Sequence, residues 1–151
     1  RIKIEEGPES EIIDRELARI EQREEEFEEQ KRIRDAYLQQ TLDGAKRLIE
    51  EEKFEEAVKK LDEIKDAQDV TAESAALRER AVENHINQER NRAAEIFLAA
   101  KKTKDPSKKE ELLKSSYEIL NTLIDKYPSS PLNQKLKSHI AIVEREINRL
   151  Q

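Results

Sequence analysis

A chain of 151 residues is long enough for one domain, and its 35% hydrophobic content can fill a modest or elongated core but not a large round one. Charged residues make up 42% of the chain, with only two Gly and four Pro, a mixture typical of solvated helices rather than of a turn-rich sheet protein. The net charge of −6 argues against nonspecific nucleic-acid binding, and the absence of Cys excludes disulfides, thiolate metal sites and a cysteine nucleophile. No apolar run approaches the roughly 20 residues that a membrane-spanning helix needs, so we predict no such segment.

The N-terminal quarter of the chain predicts a flexible segment over residues 1–8 and a long charged helix over residues 9–37. Gly7 and Pro8 interrupt regular structure, and Ser10 is a candidate N-cap. The helix carries apolar residues at spacings of three, four and seven, but charged residues interrupt the stripe: Ile13, Leu17, Ile20 and Phe27 against Glu24, Lys31 and Arg34. Two interpretations stay open, a weak coiled coil that needs a partner and an extended solvated helix.

Residues 38–151 predict a domain of packed helices. One apolar face from Leu38 to Ile49 and a second from Phe54 to Ile64 flank the short polar turn "EEEK", so the two helices are expected to pack antiparallel. A third helix is expected over Ala72 to Lys102. Two further starts are predicted where Asp105 precedes Pro106 and where Ser130 precedes Pro131, because an N-cap side chain followed by Pro favours a helix N-terminus.

Two blocks of the sequence share a register of large, small and large residues. "KFEEAVKKLDEI" and "ELLKSSYEILNTLI" align Phe54, Ala57, Leu61 and Ile64 with Leu113, Ser116, Leu120 and Leu123. This spacing resembles the second helix of tetratricopeptide repeats, and "LIDKYPSSP" resembles the end of such repeats in bacterial cell-envelope proteins. The blocks lie about sixty residues apart, whereas the family repeat is 34 residues long.

The resemblance implies an all-α fold of antiparallel hairpins stacked as a tetratricopeptide-like solenoid behind the long charged helix. A plain irregular helical bundle is the alternative. The resemblance also implies a periplasmic or cell-envelope location, with a lipid anchor upstream of Arg1 as one possibility. The cytoplasm is the alternative location.

Chemistry-bearing motifs are scarce. The two His, His85 and His139, lie far apart and outside any metal-binding or catalytic motif, and each is expected to be a partly exposed helix residue. Neither Gly belongs to a phosphate-binding loop. We therefore predict no catalytic residues, no metal site and no cofactor.

The remaining candidate site is a polar arc on the third helix. At about 100° per residue, Asn84, Asn87, Gln88 and Asn91 share one face, opposite the apolar stripe. An exposed face that tolerates any polar residue explains this arc. Alternatively, the carboxamides bind the backbone of an extended peptide, with Arg90 and Arg92 contacting carboxylates from the rim.

The expected function is a noncatalytic scaffold or adaptor that binds a peptide or protein partner and no nucleic acid. The alternative is a structural homo-oligomer assembled through the first and last helices.

Overall fold

The fold is that of a computed structural model, which describes residues 7–67 and 71–151. Over these residues the protein forms helices and no strand, which confirms the predicted all-α class. The helices are α1 (Pro8–Glu50), α2 (Phe54–Asp62), α3 (Ala72–Lys102), α4 (Pro106–Lys126) and α5 (Asn133–Arg149). Residues 1–6 of the predicted flexible segment lie outside the described residues. The protein divides into two compact units, Arg1–Asp43 and Gly44–Gln151.

Unit 1 contains most of α1, and its apolar side chains between Ile12 and Tyr37 are exposed. The helix begins at Pro8, where Pro suits the first helical position, and the Glu11 amide donates to the Gly7 carbonyl. Ser10 therefore lies inside the first turn, and its predicted role as N-cap is wrong.

In unit 2, a short hairpin turn connects the last turns of α1 to helix α2, and the antiparallel packing of the two helices stays a prediction. The turn closes with a left-handed residue, since Glu52 has φ 60° and the Lys53 amide donates to the Leu48 carbonyl at 2.8 Å. This is the hydrogen bond of a Schellman C-cap, which usually takes Gly at the left-handed position. The end of the Lys60 side chain of α2 lies over Gly44 of α1, in the space that a Cβ would occupy.

Helices α3 and α4 run antiparallel over most of their length. The Ser116 hydroxyl donates to the Ala93 carbonyl at 2.9 Å, and the Tyr127 ring meets His85 further from the connection. Both side chains at the closer contact are small and fully buried, so the helix backbones approach each other there. Asp105 caps α4 by accepting from the Ser107 amide, as predicted.

Helix α5 begins later than the sequence indicated. Ser130 and Pro131 belong to a turn, in which the Ser130 hydroxyl accepts from the Leu132 amide, and the helix starts at Asn133. The Asn133 side chain donates to the carbonyls of Tyr127 and Pro128 at 3.0 and 2.9 Å, so it holds the turn against the end of α4. The predicted start at Ser130 and Pro131 followed from the capping signal of two adjacent residues. The hydrogen bonds of Asn133 reach back across the turn, and that signal does not include them.

The core of unit 2 follows the order of the helices, since α2 packs on α3, α3 on α4 and α4 on α5. Its main buried cluster draws on the last turns of α1 and on all four later helices: Ile49, Ala57, Val58, Ala81, Val82, Ile86, Ala93, Ala100, Leu113, Leu120, Leu123, Tyr127, Leu136 and Val143.

Glu52→Gly should raise the free energy of unfolding by about 0.5–1 kcal/mol. Relief of the left-handed conformation, worth about 1–2 kcal/mol, exceeds the added entropy of Gly in the unfolded state, about 0.5–1 kcal/mol. Urea denaturation measures the change. The matched control is Glu51→Gly, which should destabilise because Glu51 is not among the described residues with positive φ. Equal effects at both positions would contradict the account.

Ser116→Ala should lower the stability by about 1 kcal/mol relative to Ser115→Ala, because only the former removes a buried hydrogen bond between helices. Both substitutions gain the same helix propensity, about 0.5 kcal/mol. The difference between the free energies of unfolding of the two variants therefore reports the contribution of the hydrogen bond. Denaturation of the two variants under one condition gives this difference. Equal stabilities would show that the bond contributes nothing.

Candidate functional site

The six predicted partner-binding residues all lie on α3, but the structure does not gather them on one surface. Three are half-buried (Asn84, Asn87, Arg90), and three are exposed (Gln88, Asn91, Arg92).

Gln88 lies on the side of α3 that meets the hairpin turn, where its amide nitrogen is 3.5 Å from the Glu52 carbonyl. Arg90 and Asn91, by contrast, line a cavity that α3 forms with α4 and α5. Arg92 points to neither place and pairs with Glu89 at 3.0 Å, one turn back on the same helix. The polar arc of the sequence is therefore divided between two regions of unit 2.

The cavity, called here the α3–α5 cavity, has a volume of about 200 Å³. Its walls are mainly apolar: Ala93, Ala94, Phe97, Leu120, Ile142 and Val143. Its polar groups come from Arg90, Asn91, Ser116 and His139. The cavity lies where small residues of α3 and α4 face α5, so none of the three helices fills the space with a large side chain.

Arg90 is the most informative polar residue of this cavity. Its Nη1 donates to the Asn87 side-chain oxygen at 3.0 Å, which holds the guanidinium against its own helix. Its Nε is buried and has no hydrogen-bond partner among the described residues. A buried donor without an acceptor costs about 1–3 kcal/mol, more when it is charged, so the position of this nitrogen lowers the stability of the protein.

The electrostatics of the cavity favour an anion. Burial lowers the pKa of His139, and the positive charges of Arg90 and Lys135 lower it further. His139 is consequently neutral at pH 7, while Arg90 and Lys135 carry the charge beside it. The sequence missed His139 and Ile142 as cavity residues, because no local signal marks positions that come together only when α5 packs beside α3.

A second polar group lies in the first half of α3, where His85 meets Tyr127. The ring nitrogen Nδ1 of His85 and the Tyr127 hydroxyl are 2.8 Å apart, and the two rings meet edge to face. Only 6% of His85 and 5% of Tyr127 is exposed. The prediction that His85 is partly exposed is therefore wrong, whereas His139 is half-buried as expected.

The charges around His85 indicate its protonation state. Burial is the main cause of its lowered pKa, although Glu55, whose Oε2 lies 3.9 Å from Nε2, opposes the shift. Burial also raises the pKa of Tyr127 to about 12, so its hydroxyl stays protonated. With Nε2 protonated towards Glu55, Nδ1 accepts the hydrogen bond from the Tyr127 hydroxyl.

Glu55 extends this group to the surface of α2. It pairs with Lys126 of α4, and that hydrogen bond is the main cause of its lowered pKa. The group therefore connects α2, α3 and α4, and the burial of both rings gives it a structural rather than a substrate-binding character.

A wider groove lies between the first half of α3 and the turn "YPSSP". Its volume is about 560 Å³, and its charged side chains have both signs. Arg78 pairs with Asp62 at 2.6 Å and Lys126 pairs with Glu55, so two of its cations are already neutralised. The lining of the groove thus carries charges of both signs, whereas the lining of the α3–α5 cavity carries the positive charge of Arg90.

Within residues 7–67 and 71–151, no group of three or more His, Asp or Glu side chains is arranged to hold a metal ion. Across the same part of the protein, every helix is too short or too polar to cross a bilayer.

Comparison of the sequence with protein-family models, with curated proteins and with solved structures finds no match.

Stability should fall between about pH 7.5 and pH 5.5. Burial lowers the pKa of His85 and of His139 below the ordinary 6.5, so the unfolded state binds protons first and acidification favours unfolding. Glu55 adds nothing in this window, because its lowered pKa matters only below about 4.5. Urea denaturation at the two pH values measures the loss.

The matched controls are His85→Asn, His139→Asn and the double variant. Asn keeps a short polar side chain without a titrating group, so each single variant should reduce the pH dependence and the double variant should nearly abolish it. A double variant that loses as much stability as the unsubstituted protein would refute the assignment.

Proposed function

We propose that this protein is a noncatalytic interaction module that binds a peptide segment of a protein partner at the α3–α5 cavity. The observation that carries the proposal is an apolar cavity whose lining includes the half-buried, charged side chain of Arg90. The ligand chemistry that fits is an apolar side chain next to a carboxylate.

The size of the cavity selects among ligands. Its volume of about 200 Å³ lies below the roughly 300–1,000 Å³ typical of pockets for drug-sized molecules and cofactors. One apolar side chain of a peptide fits such a space. The remainder of the peptide then lies along α3, where the exposed Asn91 offers both a donor and an acceptor to its backbone.

The positive charge at the cavity favours a carboxylate next to the apolar side chain of the peptide. Arg90 and Lys135 act on His139 as positive charges. The acidic Glu146 of α5 is already paired with Lys101 of α3, whose Nζ lies 3.6 Å from its carboxylate. A carboxylate of the peptide, from an acidic side chain or from its C-terminal residue, forms charge-assisted hydrogen bonds with a guanidinium.

Stacked tetratricopeptide-like hairpins are the architecture we propose for unit 2. The packing of each helix of unit 2 on the next supports this proposal, as does the close contact at the small residues Ala93 and Ser116. A cell-envelope location, with or without a lipid anchor, remains a prediction that rests on the resemblance of the "YPSSP" turn alone.

The second candidate function is a structural homo-oligomer, predicted to assemble through the first and last helices. The exposed apolar side chains of α1 favour it, with Phe27 68% exposed and Leu17 54% exposed. On α5, Ile142 and Leu150 are also exposed, at 44% and 38%. The two candidates share Ile142, which also lines the α3–α5 cavity, so the oligomer is tested through the α1 side chains, which do not line it.

Selection of a displayed library of random short peptides on the full-length protein tests the cavity. Enriched peptides should share an apolar residue beside a carboxylate, and Arg90→Gln should weaken their binding roughly tenfold or more, as expected for a charge-assisted bond of about 1.5–3 kcal/mol. Ala94→Leu should abolish binding by filling the cavity from an exposed wall position. Fluorescence anisotropy gives the dissociation constants.

Arg92→Gln is the matched control, since Arg92 carries the same charge two residues away but does not line the cavity. Asn91→Ala should also weaken binding, and Asn84→Ala is its control, because Asn84 does not line the cavity. Peptides that bind the Arg90 and Arg92 variants equally well, or a selection that enriches none, would remove the proposal.

A further inference from the structure

A stripe along α1, exposed from Ile13 to Arg34 and half-buried at Leu38, follows a seven-residue repeat. Taking Leu17 as position a, the a positions are Leu17, Glu24, Lys31 and Leu38, and the d positions are Ile13, Ile20, Phe27 and Arg34. We call these eight residues the α1 seam. Its apolar members from Ile13 to Phe27 are 48–68% exposed. Such a seam is the pattern by which helices pair as coiled coils.

The charged members of the α1 seam exclude a parallel pair of identical helices. In a parallel homodimer each seam residue faces its own copy, so Glu24 would face Glu24, Lys31 would face Lys31 and Arg34 would face Arg34. Three like-charge contacts in the centre of the interface, interrupted only by Phe27, oppose that arrangement.

An antiparallel pair changes these contacts, because each a position then faces a d position of the other copy. We propose that α1 pairs antiparallel with α1 of a second copy, in the register that places Glu24 opposite Arg34 of the second copy. The same register sets Lys31 opposite Phe27, a cation facing an aromatic ring, and Ile20 opposite Leu38. Each of these contacts occurs twice, and the paired stretch from Ile20 to Leu38 is roughly 28 Å long.

Neighbouring registers lose this complementarity. A shift of one heptad in one direction places Glu24 against Phe27, and Lys31 against Ile20. A shift in the other direction places Lys31 against Arg34, and leaves Glu24 facing Thr41, which is only 3% exposed. The charges of the seam therefore select one register.

The flanks of the seam limit the strength of the pairing. In the proposed register Glu21 lies near Asp35 of the second copy, and Glu28 lies near Glu28, while Arg23 on the other flank lies near Tyr37. The acidic flank opposes association and is screened by salt. A readout that captures weak pairing is consequently required.

Disulfide trapping supplies that readout, because the protein has no Cys. Full-length Ile20→Cys and Leu38→Cys variants, mixed under oxidising conditions, should form a cross-linked heterodimer. Ile20→Cys alone should not, since the two copies of position 20 lie 18 residues apart along the helix, roughly 27 Å, beyond the roughly 7 Å limit between Cα atoms for a disulfide. Gln22→Cys, on the outer face of α1, is the control for random collision.

Exchange of the charges tests the register. In the mixed Ile20→Cys and Leu38→Cys variants, Glu24→Arg alone and Arg34→Glu alone should each remove most of the cross-link, because each creates a like-charge contact. The double variant Glu24→Arg with Arg34→Glu should restore it. Circular dichroism shows whether each variant keeps its helix content.

The outcomes separate the alternatives. A cross-link with Ile20→Cys alone indicates a parallel pair, and cross-linking no greater than that of Gln22→Cys indicates a seam that does not self-associate. Loss without rescue in the double variant indicates a different register. Each of these results overturns the proposal, and none bears on peptide binding at the α3–α5 cavity.

Discussion

Where α3 crosses α4, the Ser116 hydroxyl donates to the Ala93 carbonyl, and the helix backbones approach closely because neither residue has a large side chain. The same small residues face α5, and here they leave the α3–α5 cavity. A large residue at position 116 would separate the helices and fill the space. The close contact and the cavity thus have one cause, the small side chains of Ala93 and Ser116.

Helix α3 has a different environment in each half of its length. In the first half, His85 and Tyr127 bury a hydrogen bond between aromatic rings, and Glu55 and Lys126 continue the polar group to the surface. Buried polar groups stabilise a fold only when their hydrogen bonds are made, so this group specifies how α2, α3 and α4 meet. In the second half, the buried polar atom is the Nε of Arg90, which has no acceptor among the described residues. The hydrogen bonds of the first half are thereby made within the protein, whereas the second half keeps one buried donor without an acceptor.

Local signals predicted the elements well, and long-range contacts explain the errors. The bounds of α3 and the Asp105 cap of α4 followed from apolar period, capping chemistry and Pro, all of which act within a few residues. The burial of His85 depends on its contact with Tyr127, and the later start of α5 depends on the hydrogen bonds of the Asn133 side chain. The spacing of apolar residues along the sequence does not reveal either contact. The polar arc is divided for the same reason: a helical wheel gives the angles of Gln88 and Asn91, but not that the turn before α2 lies near one and α5 near the other.

The length of α1 follows from cooperativity rather than from contacts along its side. Its exposed part carries pairs such as Glu16 with Arg19 and Gln22 with Glu26, each worth about 0.2–0.5 kcal/mol. Nucleation is the unfavourable step of helix formation. The last turns of α1 provide the nucleus, because Ile49 is buried in unit 2. Propagation towards Pro8 then adds one hydrogen bond for each residue ordered. A second copy consequently meets a helix that is already formed. Pairing of the α1 seam then does not include the entropic cost of ordering the helix, so fewer favourable contacts are needed to offset its three charged positions.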